Sequence, residues 1–253
     1  MKLSGNTIFI TGGSMGIGKS LAKLFMEQGN EVIICGRNVE QLKKTAEELP
    51  GLHYIRCDIN SESDRQEAFE YITKNFPKMN VLINNAAVQS TYDFKTGSAG
   101  LEKMDLELSI GLNAPIHLTG LFMPHLLKAE NPAVAFVTSI LALVPFVPQI
   151  PVYCISKAGL HSYITLLRKH LEDTPINIYE IAPPKVETDL HAAVRADMEV
   201  AGTVDSPGVD SDVYCKFVIE KLGEDVKLIV YPPSPKFVDE ITKAETEALK
   251  LFK

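Results

Sequence analysis

The stretch Thr7-Ile8-Phe9-Ile10-Thr11-Gly12-Gly13-Ser14-Met15-Gly16-Ile17-Gly18 joins a short apolar run to a glycine-rich turn. A segment carrying Ile17, Leu21, Leu24 and Phe25 at helical spacing follows it. The run reads as a buried strand and the segment as a helix. A strand, a glycine turn and a helix start make a phosphate site, because bare backbone N–H groups and the positive helix end face the anion together. Gly12 permits the tight turn, Gly16 a close approach of a pyrophosphate, and Gly18 the packing of helix on strand. The spacing is G-x-x-x-G-x-G, not the commoner G-x-G-x-x-G.

Outward from this unit, apolar strand-like runs alternate with helix-period segments. Strands are expected at Thr7–Thr11, Glu31–Cys35, His53–Cys57, Val81–Ile83, Val134–Thr138, Asn177–Ile181 and Lys227–Val230. Helices are expected at Ile17–Gln28, Val39–Leu49, Ser61–Asn75, Leu101–Leu127, Pro151–Leu171 and Asp210–Leu222. The alternation predicts an α/β protein with a doubly wound, Rossmann-type parallel sheet of about seven strands and helices on both faces. Nothing like a linker or repeat divides residues 1–253, so one domain is expected, with 232–253 as a helical tail. Ligands of such sheets bind outside the carboxyl ends of the strands.

The chain has 253 residues, 45% of them hydrophobic, and a formal charge of −7, which argues against a nucleic-acid surface. No signal-peptide pattern and no membrane span is visible, and a cytoplasmic protein is expected. Its four cysteines are scattered; Cys35 and Cys57 fall in expected buried strands, while Cys154 beside Tyr153 is a packing thiol or a redox handle. The six histidines lack metal-ligand spacing, so no metal is expected.

Tyr153 and Lys157 stand at i and i+4 in Pro151-Val-Tyr-Cys-Ile-Ser-Lys-Ala-Gly159, downstream of Ser139. On a helix they share a face, and a fixed positive charge beside a phenol favours its ionised form. Ser139 can hydrogen-bond a substrate oxygen. At the end of the second strand, Gly36 leaves room where a carboxylate would repel a phosphate, and Arg37 can pair with one.

Thr11-Gly-x-x-x-Gly-Ile-Gly18, Asn84-Asn-Ala-Ala87, Asn113, Ser139 and Tyr153-x-x-x-Lys157 stand in the order and spacing of the short-chain dehydrogenase/reductase family, which the chain resembles over roughly residues 5 to 231. Gly29–Arg37, Pro151–Cys154 and Ile181–Pro184 are similar to the branch of that family encoded beside D-alanylation genes of Gram-positive bacteria. The resemblance implies hydride transfer between a nicotinamide and a carbonyl or secondary alcohol. It implies Ser139 as the residue that orients the substrate oxygen and Tyr153 as proton donor or acceptor. Lys157 would depress the tyrosine pKa and hold the ribose, and Asn113 would be the fourth catalytic position, supporting a proton-relaying water. The implied cofactor site comprises Gly12, Ser14, Met15, Gly16, Ile17, Gly18, Arg37, Asn38, Asp58, Ile59, Asn85, Ala86, Tyr153, Lys157, Val186 and Thr188. Arg37 favours NADP(H) over NAD(H), although Met15 stands where a second basic residue is often found. A homo-oligomer, dimer or tetramer, is also implied. The alternative is a non-catalytic NADP(H)-binding sensor or partner protein.

Three features depart from the family pattern. Ala87 and Pro184 replace usual glycines, and a glycine-rich closing strand is missing. The apolar stretch Leu141, Leu143, Val144, Pro145, Phe146 and Val147 predicts a largely apolar substrate. The segment Asp189–Ser211, with His191 and Arg195, is expected to cover the pocket. In the tail, Phe237, Val238, Ile241, Ala244, Ala248, Leu249 and Phe252 predict an apolar stripe that packs near the pocket or a subunit interface.

Overall fold

The computed structural model describes residues 1–96, 100–191 and 207–232, together with positions 240, 241, 243, 244 and 247. Seven parallel strands form one sheet: β1 (Thr7–Thr11), β2 (Glu31–Gly36), β3 (His53–Arg56), β4 (Met79–Asn84), β5 (Ala133–Val137), β6 (Asn177–Ala182) and β7 (Leu228–Val230). Their order across the sheet is β3-β2-β1-β4-β5-β6-β7. β1 therefore pairs with β2 on one side and β4 on the other, Ile8 lying opposite both Val32 and Val81. Strand order reverses there, which opens the crevice above the carboxyl ends of β1 and β4.

Period-two alternation divides the core into two layers. Ile8, Ile10, Val32, Ile34, Val81 and Ile83 pack against Leu21 and Phe25 of α1 (Gly16–Glu27) and Leu42 of α2 (Val39–Glu48). The same layer takes in Tyr214, Val218 and Leu222 of a later helix (Ser211–Gly223). Phe9, Ile33, Leu82, Val134 and Phe136 face Ile72 of α3 (Glu62–Asn75) on the other side. That second layer also holds Leu118 and Phe122, which lie within 101–126, and Leu160 and Ile164, within 151–170.

The expected single helix Leu101–Leu127 is broken. α4 (Leu101–Leu108) runs into a widened π turn at Ser109–Asn113, and α5 (Ala114–Leu126) continues from there. Pro115 opens α5 and has no N–H to give the carbonyl of Gly111, so the hydrogen-bond ladder cannot pass through at α-helical spacing. A short α6 (Ile140–Leu143), not expected from the sequence, follows β5 and precedes α7 (Pro151–His170) and α8 (Ser211–Gly223). β3 stops at Arg56, so Cys57 lies just past the strand, although it is buried as expected. All four cysteines are free and buried. Most of the expected pocket cover, Arg195 included, and most of the apolar stripe of the tail fall outside the described residues.

Candidate active site

The glycine turn is built by close backbone approaches. Gly12 and Gly16 have φ of +64° and +50°, which side chains resist. A Cβ on Gly18 would lie 2.4 Å from the Gly12 carbonyl oxygen, and one on Gly13 would lie 2.3 Å from Ile34 Cγ2. Gly13 is thus as constrained as the motif glycines, which the motif spacing did not reveal. Asn38, Ser61 and Asp210 cap α2, α3 and α8 with their side chains; α1 has no side-chain cap and no acidic residue in its first turn. Its leading amides therefore suit an anion from outside the chain.

Neighbouring strands hold the turn in place. Asn85 Nδ2 donates to the carbonyls of Thr11 (2.9 Å) and Gly12 (3.1 Å), while Thr11 Oγ1 accepts the N–H groups of Asn85 (3.0 Å) and Ala86 (3.1 Å). The Ser14 carbonyl accepts from Thr45 Oγ1 at 3.0 Å and Gln41 Nε2 at 3.2 Å. Thr11, which opens the glycine motif, and Thr45, which no motif marked, are buried positioning residues.

A cavity of about 630 Å³ opens over this turn. Ser14, Met15, Gly16 and Ile17 line it with Gly12, as do Arg37 and Asn38 after β2, Asp58 and Ile59 after β3, Asn85 and Ala86 after β4, and Val186 and Thr188 after β6. Gly18 does not line it; its place is in the packing of α1 on the turn. Arg37 is exposed at the rim. The left-handed glycines, the uncapped helix start and a cleft of this size fit an extended dinucleotide. Ala87 and Pro184 both line the same cleft, and Val186 bridges in parallel to Val209.

Ser139, Tyr153 and Lys157 line the same cavity, at 6%, 5% and 2% exposure. Ser139 caps α6, its Oγ accepting from the Leu141 N–H at 3.1 Å, and it is hydrogen-bonded to Tyr153. Lys157, one turn along α7, donates from Nζ to the Val137 carbonyl at 2.8 Å and stands 5.6 Å from the centre of the Tyr153 ring. Burial pushes the tyrosine well above the ordinary phenol range; the Ser139 hydrogen bond pulls it down, and Cys154 and Glu107 add to the rise. Burial also pulls Lys157 down to about 8, with Glu107 opposing. Desolvation of the phenolate is the largest influence on Tyr153 in this enclosed site, and it acts in the direction opposite to the lowering by Lys157 that the family resemblance implies.

Asn113 is not brought to the site. It is exposed, lies outside the cavity lining, and sits on the far side of the π turn. Gly111 and Leu112 of that turn face α7: a Cβ on Gly111 would lie 2.8 Å from Ser156 Oγ, and one on Gly159 would lie 3.1 Å from Leu112 Cδ2. The fourth catalytic position expected from the sequence is corrected accordingly.

Two buried polar clusters were not foreseen. Glu107 of α4 is fully buried; its Oε2 accepts from the Tyr92 hydroxyl at 2.8 Å, and burial pushes it up to about 7. Beneath Ser139, the Glu180 carboxylate of β6 accepts from Thr138 Oγ1 at 2.8 Å and contacts His161 Nδ1 at 2.9 Å, one turn beyond Lys157. No residue pattern marked either cluster, since a lone acid in a helix or strand normally reads as a solvated face.

Among the described residues no group of three or more His, Cys, Asp or Glu could hold a metal ion, and no helix is long and apolar enough to cross a membrane.

A glycine turn at the first strand, a strand-order reversal beside it, and a serine, tyrosine and lysine on one wall define a class, and the chain belongs to it: the short chain dehydrogenase family, whose model matches residues 6–199. It is 42% identical over 224 residues, 88% of the chain and 87% of the relative, to the uncharacterized oxidoreductase DltE of Bacillus subtilis. It is 29% identical over 195 residues, covering 75% of the chain and 78% of the relative, to the 3-oxoacyl-[acyl-carrier-protein] reductase FabG of Thermotoga maritima. Among solved structures, a short chain dehydrogenase/reductase from Burkholderia phymatum in complex with NAD shares the fold at a TM-score of 0.84 and 19% identity, covering 100% of this chain and 97% of that one. A short-chain dehydrogenase from Sphingobium yanoikuyae in complex with NADPH does so at 0.82 and 18%, covering 97% and 95%. The protein is an oxidoreductase of this family.

Proposed function

We propose that the protein is an NADP(H)-dependent carbonyl reductase or secondary-alcohol dehydrogenase. The observation that carries this reading is the convergence of buried Ser139, Tyr153 and Lys157 on a cleft that is also lined by the glycine turn and Arg37. The nicotinamide, when bound, supplies or accepts the hydride. In the reducing direction Ser139 holds the carbonyl oxygen, and Tyr153 gives it a proton as the carbon gains the hydride. A tyrosine kept protonated by burial is suited to that step, and Lys157 is placed to return a proton from within the site. Arg37 pairs with the 2′-phosphate of NADP(H), and the adjoining Gly36 offers no carboxylate to repel it. Val88, Leu141, Phe146, Val147, Ile150 and Leu190 line the remaining wall, which suits a largely apolar ketone, aldehyde or secondary alcohol. We infer one catalytic domain, a cytoplasmic location and a homo-oligomer.

The test is NADPH depletion by the purified protein against a panel of apolar ketones and aldehydes, with NADP⁺ and secondary alcohols for the reverse direction. Turnover that disappears in Tyr153→Phe supports the assignment. NADPH binding with no turnover on the panel supports the sensor reading instead.

A further inference from the structure

α4 has an inverted character. Leu101 and Leu106 are exposed at 52% and 40%, while Glu107 on the same helix has no exposed surface at all. Glu107 precedes Gly111 by one helical turn, so its side chain lies on the face of α4 that packs against α7. That is the face from which the expected asparagine is turned away.

We propose that Glu107 is a positioning residue of the active site: it anchors the 88–93 wall of the cavity through Ser90 and Tyr92, and its charge governs the pH range over which Lys157 stays protonated. The proposal rests on the reductase reading above and on Lys157 holding the cofactor ribose, as the family resemblance implies.

The anchoring is direct. The Tyr92 hydroxyl donates to Oε2 at 2.8 Å, and the Ser90 N–H donates to the same carboxyl group. The Tyr92 N–H in turn donates to the Gln149 carbonyl at 3.0 Å, tying the 88–93 loop to the loop that leads into α7. Val88 and Val147 of these two loops line the cavity. Oε1, by contrast, is buried with no hydrogen-bond partner among the described residues. A buried carboxyl group left half-satisfied is rare where it serves packing alone.

The electrostatic role follows from what surrounds it. Tyr92 and Ser90 face Glu107 from the loop, and Glu107 lies on the side of α4 packed against α7, the helix that carries Tyr153, Cys154 and Lys157. Lys157 is the cation acting on Glu107. With both groups in a desolvated interior, an ionised Glu107 raises the lysine's hold on its proton against the effect of burial. Neutralising the carboxyl removes that support and leaves burial to act alone. Tyr92 stabilises the ionised carboxylate, so removing its hydroxyl makes Glu107 neutral more of the time.

The experiment measures NADPH affinity by its fluorescence from pH 6.5 to 10, which needs no substrate. Wild-type affinity should fall on the alkaline side as Lys157 loses its proton. In Glu107→Gln, which keeps the acceptor oxygen for Tyr92, that fall should move to lower pH by at least about 0.5 unit, given the size of shifts that nearby opposite charges cause. Tyr92→Phe should move it the same way by less, and should add nothing in the Glu107→Gln background. Superimposable profiles for wild type and Glu107→Gln would overturn the proposal while leaving the reductase reading intact. A Tyr92→Phe shift that persists on Glu107→Gln would assign the effect to the loop and overturn it as well. If Glu107→Gln does not fold, Tyr92→Phe alone decides, and a wild-type profile sinks the idea. Failure of the wild type to bind NADPH would defeat the reductase reading itself, and the proposal with it.

Discussion

The glycine turn after β1 and the π turn between α4 and α5 are both bends that aim groups at one cleft, yet they work by different physics. In the first, constraint comes from the backbone: Gly12 and Gly16 occupy left-handed conformations, and Gly13 and Gly18 sit where a single methyl would collide with Ile34 or with the Gly12 carbonyl. The residue types announce the geometry, because few others tolerate it. In the second, constraint comes from a missing donor at Pro115 and from packing on α7. Here the same residues are compatible with several rotations of the helix, and tertiary contacts select one. The comparison teaches that motif spacing transfers a backbone site more safely than a side chain on a long helix.

The sharpest test of the shared cleft is Tyr153→Phe. It should lower turnover by ~10²–10⁴-fold, the usual scale of general acid–base catalysis, and leave NADPH binding in place. Steady-state rates beside a fluorescence titration would show this, and a variant within tenfold of wild type would remove the tyrosine from the chemistry.

On the glycine-turn side, Arg37→Ala should weaken NADP(H) by about 1.5–3 kcal/mol, the range for hydrogen bonds to charged groups, with NAD(H) nearly unchanged. Parallel titration with both cofactors checks it; equal losses would break the link between the second strand and the 2′-phosphate.

On the α4 side, stability itself should respond to pH through Glu107. Its folded value of about 7 lies above the ordinary 4.5, so the protonated form is the one the fold prefers. That contribution is complete below the ordinary value and is lost as pH rises through about 7. Glu107→Gln lacks this titration, so its stability relative to wild type should improve between pH 5 and pH 8, by about 1–3 kcal/mol. Denaturant melts at both pH values measure the difference; a constant gap would show that burial does not hold the proton on the carboxyl group.

The smallest effect is expected at Asn113. As an exposed residue away from the cavity, its replacement by alanine should change kcat by less than about twofold, in line with surface substitutions of about 0.5 kcal/mol. A loss of tenfold or more would return it to the catalytic machinery and undo the contrast between the two turns.

Much of this protein was legible before any coordinates. The strand at Thr7–Thr11, the turn that follows it, and the alternation of apolar runs were enough for a parallel sheet with a cleft over the glycine turn, because period-two burial and glycine's φ freedom are local properties. Arg37, Asp58, Asn85, Ser139, Tyr153 and Lys157 all line the cleft, each following a strand or sharing one helical face. What the sequence could not determine was rotation and burial. One residue more in a helical turn swings the following side chains by about 100°, and that extra residue is placed by Pro115 and by the fit against α7. Hence Gly111 and Leu112, not Asn113, face α7. The sense of the Tyr153 shift likewise depends on how completely water is excluded, which no spacing of residues records. Glu107 is the clearest case: a charged residue among exposed leucines reads as surface until the packed structure encloses it on the side of α4 that meets α7.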